Sequence, residues 1–201
     1  MKKSLLVIIC FLFVVTGNSF CQVSATTPQN VAIGDLYTFD DGTCGIVFYI
    51  NGEHGLVVSM KSAKMKWSTG KFARKDIPDV PNICEALPIV LECGEGAKYS
   101  KPIYDITQSP AVEWCYSLGD GWYLPSGNEL CYLLSTANAR SVHSGPISKA
   151  LKKNGGTSLQ KGWYWSSTEC NKKDAVNIDD DGGVATEEKK EKNLVRAVRA
   201  F

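Results

Sequence analysis

One stretch of the sequence has the residue types and the spacing of a calcium-binding loop. It runs from Asn177 to Glu188 and offers oxygen ligands at its first, third, fifth and twelfth positions, with Gly182 at the sixth. The first ligand is an asparagine rather than an aspartate, which removes one negative charge from the set. The flanking residues have the pattern of strands. We therefore expect an acidic hairpin turn here, with a calcium site as the alternative, and we predict no other cofactor.

The cysteines are the next residues that could take part in chemistry, as disulfides or as metal ligands. Six cysteines follow the N-terminal segment, an even number in a chain bound for an oxidising compartment, so we expect up to three disulfides. A metal site is the alternative, but the sequence has no C-x-x-C or H-x-x-x-H spacing. Only one pair, Cys84 with Cys93, is an obvious local candidate, and the other pairings stay open. The six are Cys44, Cys84, Cys93, Cys115, Cys131 and Cys170.

Catalysis has little support in the sequence. Nucleophilic catalysis needs a serine or cysteine near a histidine and a carboxylate, and the only histidines are His54 and His143. We predict that the protein is not an enzyme.

The N-terminus has the layout of a secretory signal peptide. Lys2 and Lys3 precede an apolar run from Leu5 to Val15, which is too short to span a bilayer. We assign residues 1–25 to the signal peptide, with cleavage near 21 or 25. Lipid attachment at Cys21 is a less favoured alternative.

The rest of the chain is close to neutral and forms one domain, residues 26–201. Removing Lys2 and Lys3 changes 22 basic against 21 acidic side chains to 20 against 21, which argues against a nucleic acid partner. No later apolar stretch approaches membrane length.

Strands and tight turns are predicted first along the chain. Asn51 and Gly52 between two β-branched runs are a strong hairpin signal. From Lys61 to Thr107 the periodicity is lost, so we predict a long loop or irregular structure there. The predicted strands cover residues 36–39, 46–50 and 56–59.

Three helices are then predicted from residues that favour helix ends. A serine before a proline suits the start of the first, and a serine followed three residues later by a glutamate is a capping box for the second. The third has apolar residues at helical spacing and ends at Lys153 before a glycine stop. These helices begin at Ser109, Ser126 and Pro146. Strands at 163–167, 175–178 and 194–199 follow, with a turn from Asp179 to Gly183, which makes the fold class α+β.

Five motifs in this order resemble the Lcl C-terminal domain family, named from the end domain of a bacterial collagen-like adhesin. The resemblance covers the chain from about Gly34 to Phe201. Three positions depart from the family pattern: Tyr123 replaces arginine, Ser126 replaces threonine and Ala197 replaces proline. The first departure removes any ion pair that the arginine would make. The motifs are Cys44–Tyr49 with His54–Val57, Trp67 with Ala111 and Cys115, Gly121–Leu130, Tyr164–Glu169 and Val195–Arg199.

The resemblance implies a C-type-lectin-like fold. Two main helices would flank a small twisted, mostly antiparallel sheet, with the N- and C-terminal strands close together and the domain disulfide-bonded. Function is implied less directly, because this fold hosts sugar binding, protein binding and, in the sulfatase-activating enzymes, catalysis.

We accordingly expect a non-catalytic exported recognition module that binds a glycan or a protein in the periplasm or at the bacterial surface. A passive structural or assembly subunit of a surface structure is the alternative, and an enzyme related to the sulfatase-activating branch is a third. We predict no catalytic and no metal-ligating residues, and the ligand-binding residues stay unassigned.

The motif residues are predicted to be structural. The tryptophans, including Trp163, supply apolar area to a core, with a sugar-stacking platform as the alternative. The serine and glutamate of the capping box are explained by that role. The set comprises Trp122, Leu124, Pro125, Ser126, Glu129, Trp165, Ser166, Ser167, Arg196 and Arg199.

We make structural predictions for two further segments. The stretch from Lys61 to Lys101, with Trp67 and Tyr99, is either a ligand surface or an insertion that covers the sheet. The mixed charges from Lys189 to Lys192 predict a solvated strand end or loop.

Overall fold

The structure, a computed structural model, describes residues 31–70, 77, 80, 94–136 and 142–201. The predicted signal peptide, its cleavage sites and Cys21 lie outside the described residues, as do Cys84 and Cys93. Within them, no helix is long and apolar enough to cross a membrane.

The described residues form a mixed fold of helices and sheets. The strands are β1 (Leu36–Thr38), β2 (Cys44–Asn51), β3 (His54–Ser59), β4 (Ala63–Lys66), β5 (Tyr164–Glu169), β6 (Asp174–Ile178), β7 (Val184–Glu188), β8 (Lys192–Val195) and β9 (Val198–Ala200). The helices are α1 (Glu95–Ile106), α2 (Pro110–Tyr116), α3 (Gly127–Cys131) and α4 (Pro146–Lys153), and a π-helical turn (Tyr132–Thr136) follows α3.

The strands belong to two sheets, where the sequence predicted one. The first has the order β1-β2-β3-β9 and the second β4-β8-β5-β6-β7. Every pairing is antiparallel except that of β5 with β8. The first and last strands share one sheet, and the ring of Phe201 stacks on Tyr37 at 4.4 Å. This agrees with the expected closeness of the two ends of the domain.

Local signals predicted several elements correctly. The Asn51–Gly52 hairpin joins β2 and β3, with Asn51 opposite His54. Ser109 caps α2, since its hydroxyl accepts the N–H of Val112 at 3.3 Å. The capping box before α3 forms, and α4 has its predicted bounds.

The prediction of irregular structure from Lys61 to Thr107 is wrong for the residues of this stretch that the structure describes. It contains β4 and the twelve-residue α1. Helix α1 includes Gly96, Ser100 and Pro102, which are weak helix formers, so its sequence has no helical signal. Packing stabilises it instead, because Gly96, Ser100 and Ile103 are buried.

The predicted strand from Leu194 to Arg199 is also wrong as one element. It is divided between β8 and β9, which lie in different sheets. Arg196 and Ala197 form the connection between them, and both are completely buried.

The disulfide expectation needs correction for three cysteines. Cys44 in β2 and Cys131 in α3 are half-buried thiols, and Cys115 is a buried thiol in α2. Cys115 packs in an apolar cluster with Trp67 and Trp165, and burial raises the pKa of its thiol. Cys170 is disulfide-bonded.

Two apolar clusters form the core. One lies between β2, β3, the turn after α3 and α4, and includes Phe48, Leu130 and Leu151. The other contains Trp67, Trp122 and Trp165, together with residues of α2. Of the four residues predicted to be core, Trp122, Leu124 and Trp165 are buried, but Trp163 is 37% exposed, so its core assignment is wrong.

Candidate functional site

The capping-box motif gathers around one buried carboxylate, that of Glu129. Its Oε2 accepts the N–H groups of Ser126 at 2.9 Å and Gly96 at 3.1 Å. Its Oε1 accepts the N–H of Gly94 and the hydroxyl of Tyr123, both at 2.9 Å. Glu129 thus joins the start of α1 to the start of α3.

Burial raises the pKa of Glu129 to about 7, although hydrogen bonds from Ser126, Tyr123 and the two glycines lower it. Such a value suits a general acid or base. The side chain is completely buried, however, and all of its recorded donors are groups of the fold. The arrangement therefore positions helices and offers no access for a substrate.

A second buried carboxylate, that of Glu169, pairs with Lys189, and neither side chain has any exposed surface. Glu169 also accepts the N–H of Ile77 at 3.0 Å, and the Lys189 ammonium lies 4.8 Å from the centre of the Trp67 ring. The predicted solvated position of Lys189 is wrong because the chain directs this side chain inward between β7 and β8. Since Trp67 is buried too, it cannot belong to a ligand surface.

The serines of β5 join that strand to its neighbours. Ser166 Oγ donates to the carbonyl of Val176 at 2.8 Å. The N–H of Ser167 donates to the carbonyl of Pro125 at 2.7 Å, which connects β5 to the loop before α3. These contacts connect β5 to β6 and to the loop before α3.

Arg196 contacts four main-chain carbonyls. Its guanidinium donates to Ser59 at 2.8 Å, to Lys61 at 3.3 Å and to Ser158 at 2.9 Å, and also to Thr157. Burial lowers its pKa to about 10, so it remains charged at neutral pH. The side chain joins the end of β3 to the loop after α4.

Arg199, at the end of the same motif, has a partly exposed side chain. It donates to Asp41 at 2.6 Å and to Thr43 at 2.8 Å, and it lies 3.6 Å from the centre of the Phe39 ring. The Thr43 hydroxyl, followed by the Arg199 guanidinium, lowers the pKa of Asp41 to about 2. The contact fastens the β1–β2 turn to β9.

The candidate calcium loop is a β-hairpin. Asn177 lies in β6 opposite Ala185 of β7, and Glu188 ends β7. The Asp179 carboxylate accepts the N–H groups of its own turn, at Asp181 and Gly183. The four ligand positions are thus spread along the hairpin and do not face one centre. No group of three His, Cys, Asp or Glu side chains suited to a metal occurs in the described ranges.

Neither histidine has a serine or cysteine among its hydrogen-bond partners in the described part of the chain. His143 lies 3.1 Å from the Asp180 carboxylate and 3.1 Å from the carbonyl of Leu159. Burial opposes ionisation of Asp180, but its hydrogen bonds from Gly162 and His143 lower its pKa overall. His54 is exposed at the start of β3.

A cleft of about 400 Å³ lies between α1, the end of α2 and the loop after it. Tyr116 is half-buried in its wall, and Tyr104, 48% exposed, lies beside it with ring centres 4.9 Å apart. Lys101 and Asp120 are its exposed charged residues. We call this the tyrosine cleft; its lining residues are Ala97, Lys101, Tyr116, Gly119, Asp120, Gly121, Trp122 and Tyr123.

Trp122 lines the tyrosine cleft but offers it no accessible polar group. The residue is 2% exposed, and its indole N–H is buried and has no hydrogen-bond partner among the described residues. Such a group is unfavourable, but because it has no exposed surface a ligand in the cleft cannot reach it. The same ring also borders a smaller cleft of about 230 Å³ beside Thr43 and Met60.

The tyrosine cleft overlaps little with the ligand surface predicted from the sequence. Only Ala97 and Lys101 come from the stretch between Lys61 and Lys101. Tyr104 and Lys101 share a face of α1, a helix without a sequence signal, so their closeness to Tyr116 had no sequence pattern that could reveal it.

Comparison with known proteins gives a likeness in fold. No protein family and no curated protein matches the sequence. The structure is similar to the crystal structure of a fimbrial protein from Bacteroides ovatus, with a TM-score of 0.60 and 18% identity. The superposition covers 85% of this chain and 49% of the other, so this chain spans about half the length of that protein. At this identity the likeness shows a shared fold, and the Lcl and C-type-lectin assignments are not confirmed by it.

Proposed function

We propose that this chain is a non-catalytic, exported module of a bacterial surface structure, with a structural or assembly role. The observation that carries the proposal is the fold shared with a fimbrial protein over 85% of the chain. The N-terminal pattern of Lys2, Lys3 and the apolar run to Val15 supports export. This places the passive-subunit alternative of the sequence analysis ahead of the recognition module.

The buried ionisable groups support a non-catalytic role. Glu129, Glu169 and Arg196 are all fully buried, and each bonds to main-chain groups of neighbouring elements. Perturbed groups of this kind mark active sites when they line a cleft, but these three are used to join elements.

The test is surface display of the full-length chain in a bacterial host. We expect antibodies against the folded domain to label intact cells, and external protease to remove the signal. The matched control is Ile9→Arg, which interrupts the apolar run and should retain the protein inside the cell. Full-length protein that stays inside, indistinguishable from the control, would refute the proposal.

A second candidate function, recognition of a glycan, is favoured by the tyrosine cleft. Sugar rings stack on exposed aromatic faces. Tyr104 supplies an exposed face, with the half-buried Tyr116 beside it. Lys101 pairs with Asp105 at its edge and Asp120 adds one negative charge, so the cleft suits a neutral sugar better than an acidic one.

A glycan array, probed with the purified mature protein in calcium and again in chelator, tests this function. We expect binding that persists in chelator, because the cleft and not the hairpin from Asn177 to Glu188 makes the contacts. Tyr104→Ala removes the exposed ring beside the cleft and should weaken binding about tenfold. The matched control, Trp163→Ala, removes an exposed ring outside the cleft and should leave binding unchanged. Equal effects of the two variants would contradict a site at Tyr104.

A distant relationship to the Lcl C-terminal domain, with its C-type-lectin-like fold, remains part of the proposal. Its support is that the resembling motifs supply connected structural contacts here. The capping box at Ser126, the bond of Ser167 to Pro125 and the carbonyl contacts of Arg196 all fall within them.

A further inference from the structure

Among the described strands, β7 is an edge of the five-stranded sheet. It pairs with β6 on one side and ends the strand order on the other. Its side chains alternate between exposed and half-buried, and Val184 is 47% exposed. An edge strand of this kind presents main-chain groups to which another strand can add.

The hydrogen-bond pattern shows which groups of β7 point outward. The N–H of Asp179 donates to the carbonyl of Gly183, which fixes the alternation of the antiparallel ladder. Asn177 and Ala185 therefore form a bonded pair, whereas Val184 and Thr186 lie at non-bonded positions. The N–H and C=O of Val184 and Thr186 thus point away from β6, and they form no hydrogen bond with another described residue.

We propose that β7 pairs antiparallel with β7 of a second copy, about a two-fold axis at Thr186, so that the two sheets become continuous. The inference deepens the proposed assembly role, on which it rests, by naming the partner. This register places Thr186 opposite its symmetry mate and Val184 opposite Glu188. Because the Glu188 carbonyl already accepts the N–H of Glu191, the bonds between the copies are the reciprocal pair formed by the two Thr186 residues. Opposed threonines are a favourable cross-strand pair.

Charge supports a second copy in this orientation. The β6–β7 turn at one end of β7 is acidic, with Asp179, Asp180 and Asp181. At the other end, the N–H of Lys189 donates to the carbonyl of Lys173, which brings the exposed Lys172 and Lys173 beside the end of the strand. A two-fold axis reverses the strand direction, so each acidic turn lies next to the lysines of the other copy. Parallel pairing would instead bring like charges together.

Cross-linking of Thr186→Cys tests the geometry directly. Residues opposite each other at a bonded antiparallel position have Cα atoms about 5.5 Å apart, within the range of a disulfide. We expect mild oxidation to convert this variant into a covalent dimer. Wild type controls for the natural thiols, and Thr157→Cys controls for an exposed cysteine elsewhere. Equal amounts of dimer in all three proteins would overturn the proposal.

A proline variant tests the main-chain contact without introducing a thiol. Thr186→Pro removes an N–H that points away from β6, so the hairpin should fold while the dimer dissociates about tenfold more readily, since two symmetry-related bonds are lost. Thr186→Val keeps the N–H and is the matched control. Sedimentation of the mature domain over a concentration series measures the dimer.

A domain that is monomeric at every concentration, or a dimer unaffected by Thr186→Pro, would overturn the pairing. The proposed surface role is judged separately by antibody labelling of cells. A displayed monomer therefore refutes the pairing alone, whereas a chain retained inside the cell refutes the surface role.

Discussion

Tyr123 and Glu129 form a buried hydrogen bond in which a neutral hydroxyl occupies a position where the resembling family usually has arginine. A cation there would favour the carboxylate and lower its pKa. The Tyr123 hydroxyl donates a hydrogen bond without a charge, and burial has the larger effect, which raises the pKa of Glu129 to about 7. The ionisation of this residue therefore changes at neutral pH, while it connects two helix starts.

We predict that stability falls as pH rises from 4.5, the ordinary pKa, to about 7, the pKa in the folded state. In this interval the folded protein retains a proton that the unfolded chain has released, so the free energy of unfolding decreases with pH. Melting temperatures across this interval measure the effect. Glu129→Gln should reduce the pH dependence, and Tyr123→Phe should cost about 1–2 kcal/mol, mainly above neutral pH, because the carboxylate loses a donor. The same pH dependence in wild type and Glu129→Gln would contradict this assignment.

At the residue scale the sequence predicted roles that depend on near neighbours. Ser126 and Glu129 are three residues apart, and their capping box forms as predicted. Lys189 was assigned to solvent because it lies in a run of charges, whereas its partner, Glu169, is twenty residues away. The pairing of two distant charges has no local pattern.

At the scale of elements, α1 packs closely against the loop before α3. A Cβ added to Gly96 would lie 2.5 Å from the main-chain nitrogen of Ser126 and 2.6 Å from Oε2 of Glu129. Ser100 on the same helix donates to the carbonyl of Leu124 at 3.0 Å and accepts its N–H at 3.1 Å. The helix thus uses small residues to approach a neighbouring main chain, at the expense of helix propensity.

We predict that Gly96→Ala destabilises the protein by about 1–3 kcal/mol, because the added methyl group overpacks this contact. Alanine raises helix propensity, so a purely local view gives the opposite sign. Urea unfolding measures the change. Lys98→Ala, at an exposed position of α1, is the matched control and should change stability by less than about 0.5 kcal/mol. A Gly96→Ala protein more stable than wild type would show that α1 does not approach the loop so closely.

The elements that sequence predicted and those it missed differ in their source of stability. The β2–β3 hairpin, α2 and α4 carry turn, cap and stop residues, so their positions could be predicted. Helix α1 and strand β4 lack such signals because they depend on contacts with distant residues, such as β8 beside β4. The tyrosine cleft could not be predicted for the same reason, because α1 forms one of its walls and α1 has no local sequence signal.

On the scale of the whole molecule, Arg196 is placed where the chain passes from one sheet to the other. Strand β8 belongs to the five-stranded sheet and β9 to the four-stranded sheet, and Arg196 follows β8. Its carbonyl partners belong to the β3–β4 connection and to the loop after α4, which are distant in sequence. A buried cation therefore orders three connections at once.

We predict that Arg196→Met costs about 3 kcal/mol or more, because several buried carbonyls lose their donor. Arg196→Lys should recover part of the loss, since an ammonium retains the charge and some of the bonds but not the planar fork of donors. Guanidinium denaturation of the three proteins checks the order wild type, lysine, methionine. A methionine variant as stable as wild type would mean that the carbonyls find other partners.

The global arrangement was the least predictable from sequence. The α+β class followed from the order of strand and helix patterns, but the division into two sheets depends on which strands pair. Apolar and polar residues alternate imperfectly from Leu194 to Arg199, so the sequence predicted one strand of uncertain register. In the structure the strand is interrupted at Arg196 and Ala197, which are buried where the chain passes between the sheets.

The thiol of Cys115 makes the protein a reporter of its own opening. A completely buried thiol whose pKa is raised is protected from alkylating reagents until the surrounding core opens. Cys131, only half-buried, reacts through smaller fluctuations. The labelling rates of these two cysteines, followed by peptide mass spectrometry, therefore measure global and local opening of one molecule without an attached dye.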